Sequence, residues 1–153
     1  MELDLFWHRP LSLQNGYQEN LIYTVRADKI PSVPGIYIFA RKYGKSMEPL
    51  YVGRANDFQK RVMQQLNNTR LMMGIKNASA GCRTLLLAEL VTKPGQQLDK
   101  GLKIVESAFI KHYLAEGVNL LNVQGTQLRR HIILSDRKHF RQYIPVTVYV
   151  EKQ

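Results

Sequence analysis

Tyrosine, arginine, glutamate and asparagine residues at a few spacings are what this sequence offers for chemistry. Tyr37 closes the tripeptide Gly-Ile-Tyr (35–37), and Tyr51 opens Tyr-Val-Gly (51–53) after thirteen intervening residues. A free phenol ionises near pH 10, so it is a poor base at neutral pH unless a nearby cation stabilises the phenolate. Arg54 stands just after the second tripeptide and Arg61 seven residues on. A guanidinium is a planar fork that matches a phosphate, which a lysine does not replace well. At about 100° per residue, Glu106 lies roughly 40° from Leu102 on a helix and close to Phe109, Ile110 and Tyr113. A carboxylate at the edge of an apolar stripe needs a cation beside it: an arginine, a lysine or a metal ion. Asn119 and Asn122 follow that helix. Taken singly, each has an ordinary structural explanation: sheet packing, a solvated helix, a salt bridge, a turn.

The elements that must position these groups are readable in outline. GIYIFARKY (35–43) is β-branched and aromatic, which predicts a strand, and LYVGRA (50–55) predicts a second, with Gly44 to Pro49 as the turn. The two should form a hairpin centred near Lys45, with neighbouring strands about 4.8 Å apart and the phenols near each other. Asn56 or Asp57 caps a helix to about Asn68, with Phe58, Val62 and Leu66 on one face and Arg61 bordering it. Residues 69–83 show little periodicity and predict a loop, with room for a helical turn. TLLLAELV (84–91) predicts a third strand. A helix over 97–115 carries Leu102, Val105, Phe109 and Tyr113 on one face and ends at Gly117. Residues 1–30 read as irregular, with a hint of strand at Leu21–Val25. Strands are expected at 118–123, 130–134 and 145–150, with a helical turn at Asp136–Gln142. The order is ββαβα and a strand-rich tail, which defines an α+β fold rather than a βαβ parallel sheet.

Composition narrows the partners. The 153 residues suit one domain, and 44% are hydrophobic, enough for a packed core. Lys and Arg number 22 against 12 acidic residues, for a formal charge of +10. A field of that sign attracts polyanions, and nucleic acid is the commonest. No apolar run approaches the ~18 residues that span a bilayer, and no basic amphipathic helix suited to a membrane surface is evident. The first residues lack the pattern of a secretory signal, and a single cysteine, Cys82, supports no internal disulfide. A cytoplasmic, intracellular protein is therefore expected. The four histidines form no paired-ligand motif, and neither GxxxxGK[ST] nor GxGxxG occurs, so zinc and a nucleotide cofactor are not indicated.

In this order and context the residues resemble the GIY-YIG nuclease superfamily. The likeness runs through GIY (35–37), YVG (51–53), Arg54, DFQKR (57–61), ESAFIKHY around Glu106 and Asn119, and covers about 31–125. It implies a small antiparallel or mixed sheet with an N-terminal β-hairpin and a three-stranded core, flanked by helices. The whole chain then reads as one domain, with a catalytic core over 31–125 and extensions at 1–30 and 126–153 packed on it. The implied activity is divalent-metal-dependent endonucleolytic hydrolysis of DNA, leaving 5′-phosphate and 3′-hydroxyl ends. Tyr37 is implied as general base toward the attacking water, and Tyr51 as the group that positions water or phosphate. Arg54 falls near the attacking group and Arg61 on the scissile phosphate. Glu106 is implied as ligand to one Mg²⁺ or Mn²⁺. Asn119, through its Gly-Val-Asn context, matches the terminal asparagine, with Asn122 the alternative because the spacing carries one extra residue. Gln65 departs from the Tyr or His that many relatives place there.

DNA contacts are expected from Lys60, Arg70, Lys76 and Arg83 beside Arg54 and Arg61, with loop 69–83 touching substrate. A second basic cluster comprises Arg129, Arg130, Arg137, Lys138 and Arg141. Targeting would fall to loops, the extensions, a homodimer or a protein partner. Two other readings stay open: a nucleic-acid-binding module that kept this fold without the chemistry, and an RNA-directed nuclease.

Overall fold

The computed structural model describes residues 2–122, and 130–134 and 147–151 by backbone alone. The long strands form where β-branched and aromatic residues are densest: Gly35–Tyr43, Ser46–Ala55 and Cys82–Val91. In chain order the strands are β1 (Asp4–Trp7), β2 (Leu11–Ser12), β3 (Gln14–Asn15), β4 (Tyr23–Thr24), β5 (Gly35–Tyr43), β6 (Ser46–Ala55) and β7 (Cys82–Val91). The helices are α1 (Phe58–Leu66), α2 (Thr69–Lys76) and α3 (Leu98–Ala115). The main sheet has five strands in the order β1-β7-β5-β6, with β2 also on β7, and every pairing in it is antiparallel. The class is α+β.

Side chains alternate across β5 and fill two cores. Tyr37 and Phe39 join Phe58, Val62, Leu66, Met72, Ile75, Leu85 and Leu87 in one cluster, under α1 and α2. Ile36, Ile38 and Ala40 join Val52, Leu90, Leu102, Val105, Leu114 and Leu120 in the other, under α3. Both faces of the central strand are thus covered, which is why GIYIFA reads as a near-continuous apolar run rather than an alternating one. Gly35 is required by that packing: a Cβ there would lie 2.1 Å from the Ala88 carbonyl oxygen and 2.5 Å from the Phe58 ring.

Four expectations need correction. The turn between β5 and β6 is only Gly44-Lys45, because Tyr43 pairs with Ser46 and the strand resumes at once. The register then shifts: Ala40 opposes Pro49 but Phe39 opposes Tyr51, leaving Leu50 as the extra residue of a bulge. Proline lacks the N–H a ladder needs, and an edge strand with a bulge is where a sheet tolerates it. Residues 69–83 are not a loop, since 69–76 form α2 and 82–83 begin β7. Asn68 caps α2 by accepting from the Leu71 N–H, and Leu71, Met72 and Ile75 are buried at helical spacing. Residues 1–30 contribute β1 and β2 to the main sheet, while β3 pairs β4 in a small ribbon. The strand expected at 118–123 is absent over 118–122, where Leu121 and Asn122 are helical.

The expected tail strands are found as β8 (Arg130–Leu134) and β9 (Thr147–Glu151), antiparallel to each other. The turn expected at 136–142 lies outside the described residues.

Candidate active site

The bulge at Leu50 decides which way the tyrosines point. Residues directly opposed in an antiparallel pair share a face. A hairpin continued from Tyr43↔Ser46 without interruption would set Val52 against Tyr37 and turn Tyr51 to the opposite face. One extra residue reverses this parity. Tyr37 now opposes Gly53 and Phe39 opposes Tyr51, so both phenols lie on the α1 face, ring centroids 6.2 Å apart. Gly53 completes the arrangement. A Cβ at Gly53 would stand 2.3 Å from the Tyr37 Cζ and Oη, so only glycine lets that ring lie across the edge strand.

Arg61 comes from α1, whose first turn is set by Asp57: its side chain caps the helix by accepting from the Lys60 N–H at 3.2 Å. Arg61 is exposed, donates to Gln64 at a long 3.4 Å and stands close enough to the Tyr37 hydroxyl to act on it. Arg54 projects from β6 on the opposite face from Tyr51, the α3 side, where its Nη1 donates to the Oε2 of Glu106. Glu106 sits mid-helix on α3, with a side chain 21% exposed. Arg54 is thus the cation that a half-buried carboxylate requires.

The two faces meet around the β6 edge in one cavity of about 560 Å³. Tyr37, Tyr51, Arg54, Arg61 and Glu106 all line it, as does Lys60. Sequence reasoning missed Asp99 and Lys103, which also line it. The missed signal was periodicity: Asp99, Lys103 and Glu106 stand at i, i+4 and i+7, one face of α3.

Tyr37 is fully buried, and burial, with Tyr51 beside it, pushes its hydroxyl up from 10 to about 12. A hydrogen bond from Gln65 and the charge and hydrogen bond of Arg61 pull the other way without prevailing. The Gln65 bond is short, Nε2 to Oη 2.6 Å. At neutral pH Tyr37 is therefore a phenol and not a ready base. The arginine that acts on it is Arg61, whereas Arg54 is engaged by Glu106. Gln65, where relatives of the resembled family carry Tyr or His, is buried and holds the phenol oxygen in place.

The asparagines do not line the cavity. Asn119 is exposed after α3. Asn122 is buried and grips the edge strand as another strand would: the Val52 N–H donates to its Oδ1 at 2.9 Å and its Nδ2 donates to the Val52 carbonyl at 2.7 Å. That clamp holds Val52, between Tyr51 and Gly53, from the open side of β6. Asn122 rather than Asn119 thus holds a strand that borders the cavity.

The expected basic surface divides. Lys60 faces the cavity, while Arg70 and Lys76 are exposed on α2 away from it. Arg83 is a correction: it is buried, and its guanidinium donates to the carbonyls of Ser79, Gly81, Lys76 and Ala78. It shapes the link between α2 and β7 and presents no free fork to a phosphate. None of residues 69–83 lines the cavity, so the expected substrate loop is not part of this hollow. The side chains of Arg129, Arg130, Arg137, Lys138 and Arg141 lie outside the described residues.

Among the described residues, no three His, Cys, Asp or Glu side chains gather as a metal site. No helix there is long and apolar enough to cross a membrane. Searches of protein-family models, curated proteins and solved structures find no match to this chain.

Proposed function

We propose that the chain is a GIY-YIG-type endonuclease that hydrolyses phosphodiester bonds of DNA with the help of a divalent metal ion, leaving 5′-phosphate and 3′-hydroxyl ends. The observation that carries this reading is the convergence of Tyr37, Tyr51, Arg54, Arg61 and Glu106, from two strands and two helices, on one open hollow. A structural salt bridge or a pair of sheet tyrosines would account for part of that set, but not for its meeting around a space that admits a phosphate. The +10 charge favours the same polyanionic substrate.

The donor set fits a hard cation that keeps most of its water. Glu106 offers one carboxylate at the cavity, with Oε2 held by Arg54 and Oε1 free of hydrogen bonds among the described residues. Mg²⁺ commonly binds through one or two carboxylates plus phosphate and water, so Glu106 is the residue to hold Mg²⁺ or Mn²⁺. Such an ion supplies charge to a phosphoryl oxygen and to the leaving oxygen.

The chain's own groups divide the remaining work. Arg61, exposed and weakly held, is free to swing its fork onto the scissile phosphate and offset charge that grows in the transition state. Tyr37, neutral and pinned by Gln65, donates a hydrogen bond and orients the attacking water. It accepts a proton only when cationic charge nearby lowers its affinity for its own. Tyr51 borders the same space and positions water or phosphate. Arg54 holds Glu106 toward β6, and Lys60 adds charge at the rim. Asn122 and Gly53 keep the edge strand where both phenols reach the hollow.

A plasmid-nicking assay with Mg²⁺ or Mn²⁺ tests the proposal. Wild-type protein should nick, chelation should stop it, and Glu106→Ala should lose activity while keeping its fold. Nucleic-acid binding with no metal-dependent cutting would instead make this a binding module, and cutting confined to RNA would move the substrate class.

A further inference from the structure

A second hollow, of about 340 Å³, lies at the other end of α1. Its floor is apolar, from Leu21, Ile22 and Leu66, and Asn20, Asn67 and Thr69 add polar groups. Tyr17 lines it too and is 84% exposed, the most solvent-facing of the large hydrophobic side chains among the described residues. Its exposure is not that of a loose loop. The Tyr17 N–H donates to the Asn15 side chain at 2.8 Å, Asn20 N–H to the Tyr17 carbonyl at 3.2 Å, and Leu21 N–H to the Gly16 carbonyl at 2.9 Å. The β3–β4 ladder, Asn15 against Tyr23, closes the loop at its base. A pinned backbone therefore presents an aromatic ring to solvent.

The lining carries amides, a hydroxyl and an aromatic ring, but no formal charge. The Asn20 amide has no side-chain hydrogen bond among the described residues, and Asn67 uses only its Nδ2, donating to the Met63 carbonyl at 2.9 Å. Donors and acceptors in the plane of an amide, an apolar floor and a flat ring suit a neutral heterocycle that stacks and is read along its edge. A phosphate would find no cation here. The same helix borders both hollows: Gln64 of α1 lines the first cavity, and Leu66 with the C-cap residue Asn67 lines this one. Asn67 lies six residues after Arg61, about 9 Å along the helix axis, a span that one short stretch of strand can cover.

We propose that this second hollow is a subsite for an unstacked nucleobase on the strand whose phosphate meets Arg61, with Tyr17 as its stacking platform. It rests on the nuclease reading above, and it adds a preference for strands with unpaired bases: single-stranded, flapped or locally melted.

The experiment measures binding without metal, in chelator, so that no cleavage enters. A fluorescein-labelled single-stranded 12-mer and a blunt duplex are titrated with wild type, Tyr17→Ala, Tyr17→Phe and Arg61→Ala. Truncating one stacking ring should weaken single-strand binding about tenfold. Tyr17→Phe, which keeps the ring, should retain most of the affinity. A 5-iodouracil at one position of the 12-mer should photo-crosslink to Tyr17. Single-strand affinity of Tyr17→Ala equal to wild type, or a Tyr17→Phe loss as large, overturns the subsite. If in that case Arg61→Ala still weakens binding, the nucleic-acid reading survives alone. Wild-type protein that binds neither substrate removes both.

Discussion

Arg61 and Arg83 are both basic residues within one stretch of the chain, and the fold uses them in opposite ways. Arg61 stands exposed on α1, with a long contact to Gln64 at 3.4 Å and the Tyr37 hydroxyl within its reach, and it borders the cavity. Arg83 is 9% exposed and donates to four backbone carbonyls between Lys76 and Gly81. The guanidinium is the same five-donor fork in both places. What differs is whether the protein has already filled it. A cation with both Nη groups turned onto the backbone stabilises a connection, although the Arg83 Nε is buried without a partner among the described residues, and one whose donors face a hollow is available to a ligand. Charge counting along a sequence cannot separate the two, because both residues contribute one positive charge to it.

The comparison can be broken in four ways. Arg61→Ala should have the largest effect, lowering metal-dependent cleavage at least ~1,000-fold, as for a removed transition-state arginine, while the melting temperature stays near wild type. Near-normal turnover would take Arg61 out of the site. Arg83→Ala should do the reverse. It removes the four backbone contacts of a buried guanidinium, and urea unfolding should show a loss of about 1–3 kcal/mol, with cleavage per folded molecule retained. Unchanged stability would mean the four contacts are not worth their geometry.

Tyr37 sharpens the contrast through pH. Its folded value, about 12, lies above the ordinary 10, so folding favours the neutral phenol. That contribution is fully present below pH 10 and is lost as pH rises from 10 to 12, by roughly 2–3 kcal/mol. Wild-type stability measured by urea at pH 9 to 12 should fall more steeply than that of Tyr37→Phe, which lacks the titration; parallel curves would contradict the burial argument. The smallest effect is expected at Lys60, exposed at the rim of the cavity. Lys60→Ala should reduce the slope of log affinity for DNA against log salt by about one. An unchanged slope would place Lys60 off the phosphate path.

Much of the architecture was visible in residue patterns. Strand β5 and helix α3 follow from dense apolar runs and 3.6-residue periodicity, and both were bounded to within a residue or so. Helix α1 was legible from its Asp57 cap and the Phe58, Val62, Leu66 stripe. Helix α2 was not, because eight residues containing Gly74 give too short a window for period to show. Strands β1 and β2 were hidden for a different reason. They are short, and their place is set by β7, a partner some eighty residues away in the chain. Of the candidate site, Tyr37, Tyr51, Arg54, Arg61 and Glu106 were named by type and order, while Asp99 and Lys103 were passed over.

Residue types and local periods by themselves determined the helix and strand alphabet and the basic charge, and the resemblance of the ordered motifs singled out five of the groups that face the cavity. They did so because propensity and capping act over a few residues. Only tertiary structure decided orientation. The bulge at Leu50 turns Tyr51 to the face of Tyr37, Gly53 makes room for the Tyr37 ring, and Asn122 grips Val52 from across the edge. The physical reason is parity: one inserted residue reverses every side chain beyond it, and whether a strand accepts that insertion depends on the neighbours it packs against.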